Sequence, residues 1–116
     1  MAVKRIVTNI ATPHIERGRA FYADILGLEL VMDHGWIQTF AAQESAAPQV
    51  SIASEGGSGT PVPDMSIEVD NLDEVLQRAV AAKLTLEYGP MTEPWGVRRF
   101  YVRDPFGRLI NILAHD

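Results

Sequence analysis

The chain contains no cysteine among its 116 residues. Disulfide bridges, a thiolate nucleophile and a cysteine-ligated metal are therefore excluded. Positive charge is also scarce, because ten Lys and Arg stand against fifteen Asp and Glu, for a formal net charge of −5. A protein that binds a polyanion needs a dense basic surface. The composition therefore argues against nucleic acid as a partner.

Long apolar runs are missing as well. A membrane-spanning helix needs about 20 consecutive apolar residues, and no segment approaches that length. Lys4 and Arg5 precede a stretch that Thr8, Asn9 and Thr12 interrupt, which makes it too short and too polar for the core of a signal peptide. We therefore expect a cytoplasmic protein with no membrane partner.

The remaining composition suits one globular domain. Hydrophobic residues make up 47% of the chain and charged residues 22%, close to the usage of ordinary folded proteins. The length lies near the commonest domain size. We therefore expect a single domain over residues 1–116.

One order of elements is predicted twice along the chain, namely a strand, a helix and three further strands. The first copy has a strand over 5–11, a helix from Thr12 to Gly27, and strands over 28–33, 36–42 and 49–53. The second has a strand over 65–69, a helix after Asn71, and strands over 84–88, 97–103 and 108–114. Residues 55–63 are rich in Gly and Pro and predict a linker rather than a phosphate-binding loop.

The predicted fold class is therefore α+β, with two tandem βαβββ units. Unit one covers about 3–54 and unit two about 64–115. The second helix has the clearer pattern, since Asn71 and Glu74 have the spacing of a capping box. Its apolar positions fit one helical stripe: Leu72, Val75, Leu76, Ala79 and Val80.

Three motifs add a resemblance to a known family. Phe21-Tyr22 is followed by Leu26-Gly27-Leu28, Glu68-Val69-Asp70 leads into the second helix, and Asp104-Pro105-Phe106-Gly107 precedes Leu109-Ile110. The last motif suits a type I turn. In this order the motifs resemble the vicinal oxygen chelate superfamily, which holds glyoxalases, extradiol dioxygenases, fosfomycin-resistance enzymes and bleomycin-resistance proteins. The resemblance implies the glyoxalase/bleomycin resistance fold, with a cupped mixed sheet, and a homodimer.

The resemblance also indicates where metal ligands would lie, because metal-using members take them from the first and last strands of each unit. The matching positions here are Val7, Ser51, Asp64 and Asn111. Val7 has no donor atom, and Ser51 and Asn111 are weak neutral ligands, so only Asp64 could hold a divalent cation tightly. We therefore expect no metal and no other cofactor.

The candidate ligand-binding residues are those expected near the cup: Trp36, Phe40, Asp64, Trp95, Arg99, Phe100 and Asn111. The aromatic side chains suit either a pocket wall or core packing, and Pro94 and Gly96 favour the pocket for Trp95. Arg98 and Arg99 face opposite ways in a strand, so at most one could anchor a ligand carboxylate or phosphate.

Asp64 is either a buried general base or a solvated residue at the linker end. The three histidines, His14, His34 and His115, stand at a helix start, a turn and the chain end, where solvated histidines are common.

Three functions fit these observations. The first is metal-independent binding of a small, planar or antibiotic-like molecule, similar to the bleomycin-resistance proteins. The second is a glyoxalase-like lyase or isomerase that uses Asp64 or an unrecognised metal site. The third is a structural or interaction subunit without a ligand, which would be favoured if the cup is filled by its own side chains.

Overall fold

The computed structural model describes residues 3–43 and 48–115. Its strands are β1 (Val3–Ala11), β2 (Glu29–Asp33), β3 (Ile37–Ala41), β4 (Gln49–Ala53), β5 (Met65–Val69), β6 (Tyr88–Thr92), β7 (Val97–Arg103) and β8 (Leu109–His115). Its helices are α1 (Gly18–Tyr22), which a short 3-10 helix at Ile15–Arg17 precedes, and α2 (Leu72–Ala81). No helix in these two ranges has both the length and the apolar character that crossing a bilayer requires.

The chain divides into two compact units. The N-terminal unit is Val7–Val62, and the C-terminal unit is Pro63–Asp116 together with Met1–Ile6.

In the N-terminal unit the strands lie in the order β2-β3-β4-β1. The pair β1 and β4 is parallel, and the other pairs are antiparallel. Ser51 of β4 lies between Asn9 of β1 and Thr39 of β3. The ring of Tyr22 in α1 stacks on Phe40 with centroids 6.0 Å apart, so α1 covers the face of the sheet that carries Phe40.

In the C-terminal unit the strands repeat this arrangement in the order β5-β8-β7-β6. The pair β5 and β8 is parallel, and the other pairs are antiparallel. Asn111 of β8 lies between Ser66 of β5 and Tyr101 of β7. The predicted α+β class with two βαβββ units is confirmed.

The core of the C-terminal unit lies between α2 and one face of its sheet. Its buried members alternate along the strands and recur at helical spacing: Val69, Leu72, Ala79, Phe100, Val102 and Ile110. Four of the five predicted stripe residues of α2 take part, whereas Val80 is 57% exposed. Asn71 begins the helix as predicted, but its side chain donates to Glu74 Oε2 at 3.1 Å and accepts no hydrogen bond from a backbone N–H of the first turn.

Two sequence predictions need correction. The first helix is shorter than Thr12–Gly27, although Gly27 ends the last turn with a φ of 76° as expected. The strand predicted over 84–88 lies at Tyr88–Thr92, because an edge strand tolerates the missing N–H of Pro90. Within the predicted linker, residues 56–60 form a hydrogen-bonded turn in which the backbone and side chain of Thr60 both donate to the carbonyl of Gly57.

Candidate functional site

The candidate site lies on the face of the C-terminal sheet that points away from α2, here called the helix-free face. Side chains alternate between the two faces of a strand, so the neighbours of the core residues project there. Four of them form a row across three strands, here called the polar row: Ser66, Asn111, Tyr101 and Arg99. A row of polar groups on a largely buried sheet face is the pattern of a site rather than of a core.

Arg99 forms a buried ion pair with Glu93, which follows β6. The Nε and Nη2 atoms of Arg99 both lie 2.7 Å from Glu93 Oε2. The two side chains are only 4% and 3% exposed. The hydroxyl of Tyr88 donates to the same carboxylate oxygen at 2.9 Å. The charge of Arg99 is therefore balanced inside the unit, by a partner that is itself held in place.

Aromatic rings surround the guanidinium of Arg99. Its central carbon lies 5.2 Å from the ring centroid of Tyr88 and 5.1 Å from those of Trp95 and Tyr101. Its Nη1 atom also donates to the hydroxyl of Tyr101 at 3.0 Å. Cation–π contacts of this kind stabilise a desolvated guanidinium. The ion pair and the rings together fix Arg99 as a rigid part of the polar row.

Asn111 has an unsatisfied hydrogen-bonding atom. Its amide nitrogen donates to Ser66 Oγ at 3.1 Å, and the residue is only 7% exposed. Its Oδ1 atom is buried and has no hydrogen-bond partner within residues 3–43 and 48–115. Leaving a buried acceptor unpaired costs about 1–3 kcal/mol. Asn111 is thus an acceptor to which a bound group can donate.

Glu68 lies on the same face, two residues beyond Ser66, and belongs to a separate charged cluster. Its Oε2 atom is 2.9 Å from Nδ1 of His115, and its Oε1 atom is 3.0 Å from Nε of Arg5. Burial alone would raise the pKa of Glu68. The hydrogen bond with His115 and the charges of Arg5, His115 and Lys4 outweigh burial and lower that pKa below its ordinary value.

The matching face of the N-terminal unit has a different character. There the hydroxyls of Thr39 and Ser51 are both buried and lie 2.7 Å apart, so they satisfy each other. Val7 is buried on the same strand as Asn9 and offers no polar atom. This face therefore presents fewer unsatisfied groups than the helix-free face of the C-terminal unit.

The residues of neither face fit a divalent metal ion. The polar row offers neutral oxygens from Ser66 and Asn111, and the carboxylates of Glu68 and Glu93 are already paired with cations. Within the described part of the chain, no three His, Asp or Glu residues cluster closely enough to hold a metal. Metals of the kinds that proteins bind as Lewis acids require charged or imidazole ligands.

Of the two predicted settings for Asp64, the structure has the exposed one at the linker end. It precedes β5 and is exposed, and its Oδ2 atom accepts a hydrogen bond from the backbone of Leu109 at 2.9 Å. The residue that pairs with Asn111 is Ser66. Asp64 is therefore not a buried base, and its carboxylate closes the start of the β5–β8 pair.

Two of the predicted aromatic ligand contacts are core residues. Phe40 and Phe100 are fully buried on the helix-covered faces of their units. Of the two readings for these side chains, packing is therefore the correct one.

Trp36 is not the counterpart of Trp95. Thr39 and Tyr101 occupy matching positions in the two units. Trp36 stands three residues before Thr39 and therefore matches Arg98, which stands three residues before Tyr101. Its ring stacks on His34 with centroids 6.2 Å apart. Trp95, by contrast, lies over Arg99 in the turn between β6 and β7. Of the predicted ligand-binding residues, the structure thus brings Trp95, Arg99 and Asn111 to one face.

The site also contains residues that the sequence interpretation missed, namely Ser66, Tyr88, Glu93 and Tyr101. The alternation of β7 offered a signal for Tyr101, which stands two residues after Arg99 and must share its face. No such signal marks Glu93, because its position depends on the turn that returns β6 to β7.

A cleft lies on the other side of the C-terminal unit, at the start of α2. It is an open cleft of about 300 Å³ whose lining includes Asp73, Glu74 and Arg98. Arg98 pairs with Asp73 there, so Arg98 and Arg99 lie on opposite faces as their adjacency in a strand requires. The charges of this cleft are therefore largely used within the unit.

Comparison with known proteins is consistent with this architecture. A family model described as the Glyoxalase/Bleomycin resistance protein/Dioxygenase superfamily matches residues 4–112. No curated protein sequence matches the chain significantly.

Solved structures share the fold at low sequence identity. One described as NAD-dependent benzaldehyde dehydrogenase from Legionella pneumophila has a TM-score of 0.75 at 11% identity, covering 97% of this chain and 100% of that one. A glyoxalase/bleomycin resistance protein/dioxygenase superfamily member from Vibrio splendidus 12B01 has a TM-score of 0.65 at 18% identity, covering 97% and 98%. Methylmalonyl-CoA epimerase from Mycobacterium tuberculosis has a TM-score of 0.64 at 18% identity, covering 98% and 87%.

Proposed function

Because the chain belongs to the glyoxalase/bleomycin resistance protein/dioxygenase superfamily, we propose that it binds a small molecule on the helix-free face of its C-terminal unit, without a divalent metal. The observation that carries the proposal is the unpaired Oδ1 atom of Asn111, buried beside Ser66. Folded proteins pair nearly all their buried polar atoms. An exception in the middle of a polar row is therefore best explained by a ligand that supplies the missing partner.

Binding rather than catalysis agrees with the state of the nearby carboxylates. A general base must have its carboxylate available to the substrate. Glu93 is held by Arg99 and Tyr88, Glu68 by Arg5 and His115, and Asp64 is bonded to the backbone outside the row. Sequestration of a ligand, as in a resistance protein, requires none of them to be released.

The position of Trp95 beside the polar row favours a ligand with a flat apolar part. Trp95 is only partly buried in the turn above Arg99, so part of its ring is available for contact. Aromatic faces stack on planar ligands and fix their orientation. We expect the flat part of the ligand near Trp95 and its polar part near Asn111.

Two measurements on the purified chain test the proposal. Nuclear magnetic resonance with naphthalene-2-carboxamide and sodium naphthalene-2-carboxylate should shift the signals of the Trp95 indole N–H and the Asn111 amide. The second measurement is thermal unfolding with added metal ions. A specific metal site would raise the Tm by on the order of 10 °C at a metal concentration 100 times its Kd. We expect no change with Mn²⁺, Zn²⁺ or Ni²⁺. Stoichiometric metal in the purified protein, or shifts confined to other residues, would contradict the proposal.

A further inference from the structure

We infer that the polar row selects ligands whose polar group is neutral and donates a hydrogen bond, such as a primary amide, and that it discriminates against carboxylates and phosphates. The inference rests on the proposed function and adds the chemical class of the ligand. It departs from the expectation that Arg99 anchors an anion.

The hydrogen bonds of Arg99 are directed to Glu93 and Tyr101. A guanidinium holds a carboxylate or phosphate through two parallel N–H bonds on one edge. In Arg99 the Nε and Nη2 atoms, which form that edge, are both directed to Glu93 at 2.7 Å. The remaining nitrogen, Nη1, donates to Tyr101. An anionic ligand that binds this edge would have to displace Glu93 and would leave the carboxylate of Glu93 buried without its partner.

The guanidinium of Arg99 also has aromatic rings around it. Rings of Tyr88, Trp95 and Tyr101 lie 5.1 to 5.2 Å from its central carbon. Rotating Arg99 toward a ligand would give up these contacts in addition to the ion pair. The cost of moving a buried, paired charge exceeds what one exposed anion returns. Arg99 therefore organises Tyr101 and Trp95 rather than contacting the ligand through its charge.

The charges near Asn111 affect which ligands can bind there. The row contains one cation, Arg99, and Glu93 balances it. The carboxylate of Glu68, two residues from Ser66, is likewise surrounded by Arg5, Lys4 and His115. Within the polar row itself, a charged ligand of either sign would be desolvated beside an ion pair that is already balanced, which is unfavourable.

The unpaired acceptor in the polar row is Asn111 Oδ1. With its nitrogen bonded to Ser66, Asn111 presents Oδ1 to the ligand. A neutral N–H or O–H donor satisfies this atom without bringing in a charge. One such bond to a buried acceptor corresponds to about a tenfold gain in affinity.

Four matched compounds test the inference by titration calorimetry and by the Trp95 and Asn111 resonances. They are naphthalene-2-carboxamide, its N,N-dimethyl derivative, sodium naphthalene-2-carboxylate and naphthalen-2-ylmethanamine, tested as the ammonium ion. We expect the carboxamide to bind about tenfold more tightly than each of the other three. Tighter binding of the carboxylate or the ammonium ion would overturn the inference, and equal binding of the dimethyl amide would overturn the donor role.

Two variants sharpen the result. Asn111→Leu should lower carboxamide affinity to the level of the dimethyl amide, while the exposed control Glu87→Gln should leave all four affinities unchanged. Glu93→Gln should raise carboxylate affinity, because it releases Arg99; unchanged carboxylate affinity in a folded Glu93→Gln protein would also count against the inference. If none of the four compounds binds the native chain, the proposed function fails, whereas tighter binding of the carboxylate than of the carboxamide at Asn111 contradicts the inference alone.

Discussion

In the N-terminal unit Thr39 faces Ser51 across two strands, whereas at the same position of the C-terminal unit Tyr101 faces Asn111. Two residues along the first of these strands, Ile37 in one unit corresponds to Arg99 in the other. Both units use the same strand pairings, so the difference lies in the side chains alone. One face is filled by a pair of hydroxyls that satisfy each other. The other face carries the buried ion pair of Arg99 and Glu93 and the unpaired Oδ1 atom of Asn111.

This contrast shows how a repeated fold separates support from recognition. The helix-covered faces are apolar in both units, because each must bury surface against its helix. The opposite faces are under no such requirement and can differ. The C-terminal unit has placed its polar groups there, together with the ion pair that holds them in position.

The largest effect is expected from breaking the buried ion pair of Arg99 and Glu93. At the position of the N-terminal unit that matches Arg99 stands Ile37, which carries no charge. Glu93→Gln should lower the free energy of unfolding by about 3–5 kcal/mol, because it leaves the charge of Arg99 buried without a partner. Urea unfolding measures the loss. The control is Glu87→Gln, which breaks the exposed pair with Arg103, where the two side chains are 34% and 47% exposed. It should cost less than about 1 kcal/mol, and equal losses would contradict the assignment of the buried pair.

The second effect sharpens the comparison between the edge strands β2 and β6. Both have a register irregularity, between Leu30 and Met32 in one and between Tyr88 and Met91 in the other. Only β6 has a glycine there, Gly89 with a φ of 77°, and a Cβ at that position would lie 2.5 Å from the carbonyl oxygen of Arg99. Gly89→Ala should therefore cost about 2–4 kcal/mol, combining backbone strain with the clash.

Gly107→Ala is the control for this substitution. Gly107 has a similar φ of 80°, but no atom lies within 4 Å of its added Cβ. It should cost only the backbone strain, about 1–2 kcal/mol. Thermal unfolding of both variants separates strain from contact, and a Gly107→Ala loss as large as that of Gly89→Ala would show that the contact with β7 adds nothing.

The third effect concerns pH. Glu68 corresponds to Ala11 of the N-terminal unit, since both stand two residues beyond the polar residue paired with Asn111 or Ser51. The pKa of Glu68 is lowered in the folded protein, although burial acts in the opposite direction. Its ionised form therefore stabilises the fold above its ordinary pKa of 4.5, and this contribution is lost as the pH falls through the folded pKa.

Glu68→Gln tests this linkage. At pH 7 it should lower the free energy of unfolding by about 1–2 kcal/mol, because it removes charge-assisted hydrogen bonds. The difference from the native chain should shrink as the pH is lowered below 4.5. Urea unfolding over a series of pH values measures it. A difference that stays constant down to pH 3 would show that the lost contacts, rather than the charge, are responsible.

Much of the fold was accessible from the sequence because it depends on local pattern. The ranges predicted for β4, β5 and β7 coincide with the observed strands. The turn at Asp104 forms as predicted, with the N–H of Gly107 donating to the carbonyl of Asp104 at 3.1 Å. The misplaced β6 shows the limit: Gly89 and Pro90 normally end a strand, and only the pairing with β7 makes them part of one.

The site was less accessible, because it depends on register. Alternation along β7 predicted that Arg98 and Arg99 face opposite ways. The pairing of Asn111 with Ser66 depends on the offset between β5 and β8, which the sequence pattern does not give. The partner of Arg99 could not be inferred at all, since Glu93 reaches it through the shape of a turn.

The smallest effect is the most informative about function. Ser51→Ala removes one member of the buried pair with Thr39 and should cost about 1 kcal/mol. Asn111→Leu, at the corresponding position, removes the unpaired acceptor together with the hydrogen bond to Ser66 Oγ. Because relief of the first offsets loss of the second, the free energy of unfolding should change by less than about 1 kcal/mol. Urea unfolding of the two variants without ligand compares them. A nearly unchanged stability would mean that Asn111 contributes to something other than stability. If Asn111→Leu instead costs 2 kcal/mol or more, about the penalty for breaking a satisfied buried group, Asn111 is part of the scaffold and the proposed binding face loses its acceptor.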